Sequence, residues 1–187
     1  MTHEDLLAKL AARQALIVHF SAHAVMRAGL DFPTDLQQVL AEQKPWPLSC
    51  SVLTPGHQMD VTGSVGVMLE PRSAADVLRV HHGDAGAYDD AGTNQSLGLA
   101  LSEASFDATI DGVVPGTYNE WRVRGAKPAG IFVLDPANIL VRQKLTVPGP
   151  CGPEEAIAAG PISLDAVRAA FPGQPVWTMT PGGPRQL

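Results

Sequence analysis

The sequence predicts a single α+β domain, with short flanking helices around antiparallel or mixed sheets. Three observations lead there. Glycine numbers 18 and proline 16 in 187 residues, so loops are many and elements short. Apolar runs of strand length crowd the middle of the chain, with short connections that favour antiparallel pairing. No Gly-x-Gly-x-x-Gly follows a strand and no phosphate-loop lysine motif occurs, so the common nucleotide folds lack support. The length suits one domain, residues 1–187, with its own core. Within it, a helical segment (1–14) precedes a core (15–145) and a C-terminal extension (146–187).

The elements follow in order. Thr2 and Asp5 make a capping pattern, and Leu6, Leu7, Leu10 and Ala11 fall on one face of a helix over about 3–13. Residues 15–20 form a short apolar run with a β-branched pair, read as a buried strand. Ser21 caps a short helix over 22–29, closed by Gly29. Pro33 stands near the first turn of the next helix, with Leu36, Val39 and Leu40 inward. Strands are expected at 48–53, 64–69 and 76–81. Residues 82–100, rich in Gly, Asp, Asn and Ser, read as a long surface loop. Ser102 and Ser105 open a helix to about 110. Strands follow at 118–124 and 129–134, with a turn at 135–138 and a continuation at 139–141. Residues 147–153 read as a Pro/Gly linker. A last helix, capped by Ser163, spans 163–170, and 176–179 is an edge strand before a frayed end.

The formal net charge is −6, and the 13 lysines and arginines form no run. Nucleic acid requires a concentrated cationic face, so general nucleic-acid binding is disfavoured. No stretch reaches the ~18 apolar residues of a membrane span. The acidic start, Met1 to Asp5, does not resemble a secretory signal. Cys50 sits among apolar residues and Cys151 in a Pro/Gly loop, which suggests two reduced thiols in a cytoplasmic protein. Export by a specialised system is compatible with the same sequence.

Several side chains are candidates for chemistry. Glu120, in Tyr118-Asn119-Glu120-Trp121-Arg122-Val123, opens a strand after a Gly/Pro-bounded loop. A carboxylate at a strand mouth can face a cleft and stabilise charge developing on a sugar carbon. The plainer alternative is an exposed strand-end glutamate paired with Arg122 or Arg124. His19 lies near the end of a buried strand, where an imidazole needs a partner; a core histidine bonded to backbone is the alternative. Ser49 and Ser51 alternate and share a face. His81, His82 and Asp84 form a separate cluster, the basis of an alternative as a metal-assisted hydrolase.

The string Tyr-Asn-Glu-aromatic-x-Val resembles the glutamate motif of the diphtheria-toxin-like ADP-ribosyltransferases. It is most similar to the version in poly(ADP-ribose) polymerases. The resemblance covers about residues 15–145. It implies an ADP-ribosyltransferase-like fold of small split β-sheets gripping NAD, used as a substrate. Glu120 takes the catalytic place and holds a hydroxyl of the nicotinamide ribose. His19 takes the place that binds the adenosine-side ribose, with Phe20 and Ser21 beside it on NAD. The family often has Gly after this histidine, where Phe20 stands here. Ser49 and Ser51 match the serines of the Arg-first class, weakly and mixed with the His-first pattern, and Tyr88 is a candidate stacking residue on NAD. The loop of about residues 111–117, with Pro115, and the adjoining Tyr118 and Asn119, would meet the acceptor. The implied activity is ADP-ribose transfer to a protein side chain or small molecule, or NAD hydrolysis with water as acceptor. Toxin and conflict-system roles follow by analogy. A non-catalytic interaction protein of similar fold is the alternative from another class.

Overall fold

The computed structural model describes residues 1–21, 34–43, 47–56, 64–83, 98–113 and 116–187. The expected helix over 22–29, Pro33, Tyr88, Pro115, Asp84 and most of the 82–100 loop lie outside them. The chain is a mixed α+β protein. Its elements are α1 (His3–Ala12), β1 (Leu16–Phe20), α2 (Thr34–Leu40), β2 (Leu48–Leu53), β3 (Val65–Glu70), β4 (Val77–His81), α3 (Glu103–Asp111), β5 (Glu120–Val123), β6 (Lys127–Val133), β7 (Ile139–Gly149), β8 (Gly152–Ile162), α4 (Leu164–Ala170), β9 (Val176–Thr180) and β10 (Gly183–Gln186).

Eight strands form one sheet in the order β10-β9-β6-β3-β1-β2-β5-β4. All its pairings are antiparallel except β6 with β9. Alternation along each strand sorts the side chains to two faces. Ile17, Val52, Val67, Trp121 and Ile131 join the main core with Leu6 and Leu10 of α1, Leu36 and Val39 of α2, Phe106 of α3 and Val167 of α4. The four helices among the described residues therefore pack on one face. On the other, Val18, Leu53, Met68 and Phe132 form a smaller cluster over β1, β2, β3 and β6.

The caps of α1 and α3 are those the sequence predicts. Thr2 accepts from the Asp5 amide, and the Asp5 carboxylate accepts from the Thr2 amide. Ser102 and Ser105 repeat the device at α3. Leu7 departs from its predicted place on the inward face of α1. It is 43% exposed, because the buried stripe centres on Leu6 and Leu10 and Leu7 lies one helical step off it.

The largest departures lie toward the C-terminus. Residues 147–153 are not a linker. They are the tip of a hairpin in which β7 and β8 pair along their full 11-residue lengths, from Ile139↔Ile162 to Gly149↔Gly152. Pro148 and Pro153 lie in the stretch that the sequence reads as a linker. In a two-stranded ribbon each strand has a free edge, and a proline can turn its missing N–H there. The segment 176–179 is not at the edge either, since β9 lies between β6 and β10. Nor is the tail frayed: residues 183–186 pair back on β9, and the Leu187 amide donates to the Val176 carbonyl at 2.8 Å. The C-terminal extension thus supplies two strands of the main sheet. Residues 98–100, placed in the long loop by the sequence, run beside β4 through the Val80↔Leu99 bridge.

The two cysteines differ sharply in setting. Cys50 is buried in β2, and Cys151 is exposed at the hairpin tip. Burial, reinforced by the Glu120 charge, pushes the Cys50 thiol well above its ordinary value. In the native protein we expect one of the two thiols to react with a disulfide reagent such as DTNB at pH 8, and both in denaturant. Substituting Cys151 with Ser should abolish the native-state signal.

Candidate active site around Glu120

The site is built where β2 changes partners. Backbone polar groups of successive residues in a strand point to opposite edges. In β2, Leu48, Ser49 and Cys50 register with β5, whereas Ser51, Val52 and Leu53 register with β1. Beyond Val18↔Ser51 on one side and Cys50↔Trp121 on the other, the regular ladders stop. The sheet splits here into two wings sharing β2.

Side chains replace the ladder at both openings. On the β5 side, Asn119 is fully buried and presents its amide to Val52. The Val52 N–H donates to Asn119 Oδ1 at 2.7 Å, and Asn119 Nδ2 donates to the Val52 carbonyl at 3.2 Å. On the β1 side, the His19 imidazole meets the Ser49 carbonyl at 2.7 Å through Nδ1. A carbonyl oxygen can only accept, so the proton is on Nδ1, and in the neutral ring Nε2 is the acceptor. The bland expectation for His19, a buried histidine bonded to backbone, describes this contact. Gly66 lets β3 come close beside it, since a Cβ there would lie 2.7 Å from the His19 carbonyl oxygen.

The flanks of Glu120 are anchored to α3. Asn119 Nδ2 also donates to the Thr109 carbonyl at 3.0 Å, and Trp121 Nε1 donates to Thr109 Oγ1 at 3.2 Å. The Trp121 ring packs edge-on against Phe106 at 5.6 Å between centroids. Asn119 therefore serves the scaffold at this point; the sequence reading put it beside an acceptor. With both neighbours turned to the helices, alternation sends Glu120 to the other face.

Glu120 is not the exposed strand-end residue of the plainer alternative: it is 3% exposed. Its Oε1 lies 3.5 Å from Arg122 Nη1, which selects Arg122 over Arg124 as its ionic neighbour. Across the β4–β5 ladder Glu120 registers with His81. One step beyond Cys50↔Trp121, Ser51 comes to the same face, and Ser51 is buried while Ser49 is exposed. Phe20 shares this face by alternation and packs edge-on against Phe132 at 5.9 Å. His19 alternates with Phe20, on the helix-facing side, and its ring reaches the split through the Ser49 carbonyl. Ser21 is buried beyond the end of β1. Thus Ser49, Ser51, Phe20 and Glu120 share a face, and His19 meets them only at the seam.

His81 and His82 diverge. His81 belongs with Glu120, whereas His82 Nδ1 lies 3.2 Å from the Ala108 carbonyl of α3. Among the described residues no group of three His, Cys, Asp or Glu is disposed to hold a metal ion. The sequence reading missed the partnership of His81 with Glu120, because cross-strand neighbours are set by register. It likewise missed Arg79, opposite Arg122 in the same ladder.

Burial holds the His81 imidazole below the ordinary value of about 6.5, while the Glu120 carboxylate pulls it the other way. The unfolded chain thus takes up this proton at a higher pH than the folded one. His81 makes the fold lose stability as the pH falls through the unfolded value. In an NMR titration, its midpoint should lie below that of a free histidine. Substitution Glu120→Gln should lower it further, because the charge that favours the imidazolium is gone. Substitution Asn119→Ala leaves the Val52 N–H and C=O without this partner in a dry interior. We expect a loss of roughly 2–4 kcal/mol in urea unfolding, with an unchanged m-value.

Searches against protein-family models, curated proteins and solved structures returned no match to this chain. What the site can do therefore follows from its own residues.

Proposed function

We propose that this chain is an NAD-using enzyme of the ADP-ribosyltransferase kind, with Glu120 as its catalytic carboxylate. The observation that carries the proposal is the setting of Glu120. It stands at the mouth of β5, nearly buried, between two neighbours pinned to α3, on the face away from the helices. Burying a carboxylate costs several kcal/mol unless it is compensated, and preorganised charge of this sort suits a reaction that develops the opposite charge.

The chemistry is cleavage of the bond between nicotinamide and ribose. Glu120 orients a hydroxyl of that ribose and stabilises the positive charge that grows at the sugar carbon as the base departs with the bonding pair. His19, held by the Ser49 carbonyl, serves the adenosine-side ribose only through the seam, since its side chain lies on the helix-facing side and Glu120 faces the other. The loop before β5 faces the acceptor, which is a protein side chain, a small molecule or water. The splitting of the sheet at β2 supports this arrangement, since the resemblance implies split sheets with NAD gripped between them. A toxin or conflict-system role is part of the same proposal, by analogy.

Phe20 favours a second proposal. It stands where related transferases leave room with glycine, and it packs against Phe132. A domain that keeps the fold as a binding module without turnover has no need of that room.

Purified protein incubated with NAD separates the two. The transferase reading expects nicotinamide release, falling at least about a hundredfold in Glu120→Ala, as for loss of a main electrostatic group. The circular dichroism of the variant should be unchanged. No release and no NAD-dependent rise in Tm would leave the binding module. Release that survives in Glu120→Ala would move the catalytic site elsewhere.

A further inference from the structure

We propose that the acceptor of this reaction is held by a phosphate group, between Arg79 and Arg122. The inference rests on the transferase proposal for the word acceptor, and on geometry of its own for the phosphate.

Arg79 and Arg122 are cross-strand partners in the β4–β5 ladder. Like charges placed directly opposite each other destabilise a sheet. The protein also makes a local adjustment to bring them together. The β4–β5 register shifts between Val77 and Arg79, which places Leu78 as the extra residue and turns Arg79 to the side of Arg122. The two side chains line an open cleft of about 310 Å³, walled by Pro47 and Leu78. That volume lies at the lower end of small-ligand sites. Glu120 offsets part of one charge through its 3.5 Å approach to Arg122. Among the described residues no carboxylate pairs with Arg79. Its Nη1 donates to the Leu78 carbonyl at 2.8 Å, which ties the guanidinium to the cleft wall. Two guanidinium forks around one cleft match the oxygens of a phosphate.

Position across the sheet selects the acceptor over NAD as the source. The strand order places β1, with His19, on one side of β2 and β5, and β4, with Arg79, on the other. In the proposed binding mode the two riboses of NAD sit at His19 and Glu120. The diphosphate that links them therefore lies between those points. The Arg79 side of the cleft is beyond Glu120, outside that span, where the acceptor approaches.

The test uses the full chain with inorganic phosphate and O-phosphoserine as probes, serine as the uncharged control, and calorimetry as the readout. Phosphate and O-phosphoserine should bind and serine should not. Substitution Arg79→Gln should weaken both phosphates about tenfold, as for loss of a charge-assisted pair. Lys127→Gln, on the exposed start of β6, should change nothing. The NAD-dependent shift in Tm should be the same in Arg79→Gln as in the wild type. Arg79 is exposed and stands opposite a like charge, so the variant should unfold at the wild-type midpoint or slightly above it. Arg79→Lys, which keeps the charge and loses the fork, provides a second variant with an intermediate affinity. Unchanged phosphate binding in Arg79→Gln overturns the proposal. An equal loss of NAD and phosphate binding also overturns it, by giving the arginines to the donor's diphosphate. Phosphate bound by a chain that releases no nicotinamide keeps the phosphate site and removes the transferase. Nicotinamide release with no phosphate binding does the reverse.

Discussion

The structure depends on one exchange: β2 gives half its length to β5 and half to β1. A strand that changes partners leaves backbone groups facing the gaps, and a buried unpaired amide or carbonyl costs about as much as a lost hydrogen bond. Asn119 and His19 meet that demand from opposite sides. The amide of Asn119 is a peptide group on a side chain, and it docks on the N–H and C=O of Val52 as a neighbouring strand would. The imidazole of His19 covers the Ser49 carbonyl. With these contacts the two wings can diverge while β2 stays whole.

The same exchange explains how a carboxylate can be kept nearly dry at a strand mouth. Asn119 and Trp121 are committed to Val52, Thr109 and Phe106, so the backbone between them has little freedom. Glu120 inherits its direction from its neighbours. Arg122 and His81 then set the field around it, the first by charge and the second by register. The direction of Glu120 is a by-product of packing on the opposite face.

Much of the local structure was legible in the sequence, because local structure has local causes. The caps at Thr2 and Ser102, the apolar runs of β1 to β6 and the inward face of α2 all rest on residues a few positions apart. The prolines of β7 and β8 misled, since their effect depends on whether a strand has a free edge, and that is a property of the sheet. The Pro-Gly-Gly of residues 181–183 resembled a loose tail, yet it turns β9 into β10, with Thr180 Oγ1 accepting from the Gly182 amide. At the site, the type and place of Glu120 were readable. The place of the split and the side chains that fill it were not, because Asn119 and Val52 stand 67 residues apart. Nor was the pairing of Arg79 with Arg122, which follows from the register shift in β4.

The final strands have a consequence for how the molecule is made. The only parallel pairing of the main sheet among the described residues joins β6 to β9, and the chain reaches it by way of the long hairpin and α4. Non-local pairings of this kind form late, after the loop entropy has been overcome. At the far end, the side chain of Gln14 rests on Gly183, where an added Cβ would meet its amide at 2.9 Å. Synthesis runs from the N-terminus, so β6, already paired with β3, keeps its other edge open until residues 176–180 have been added. A chain cut short before β9 would end its sheet at β6, with a row of unpaired N–H and C=O groups along that strand.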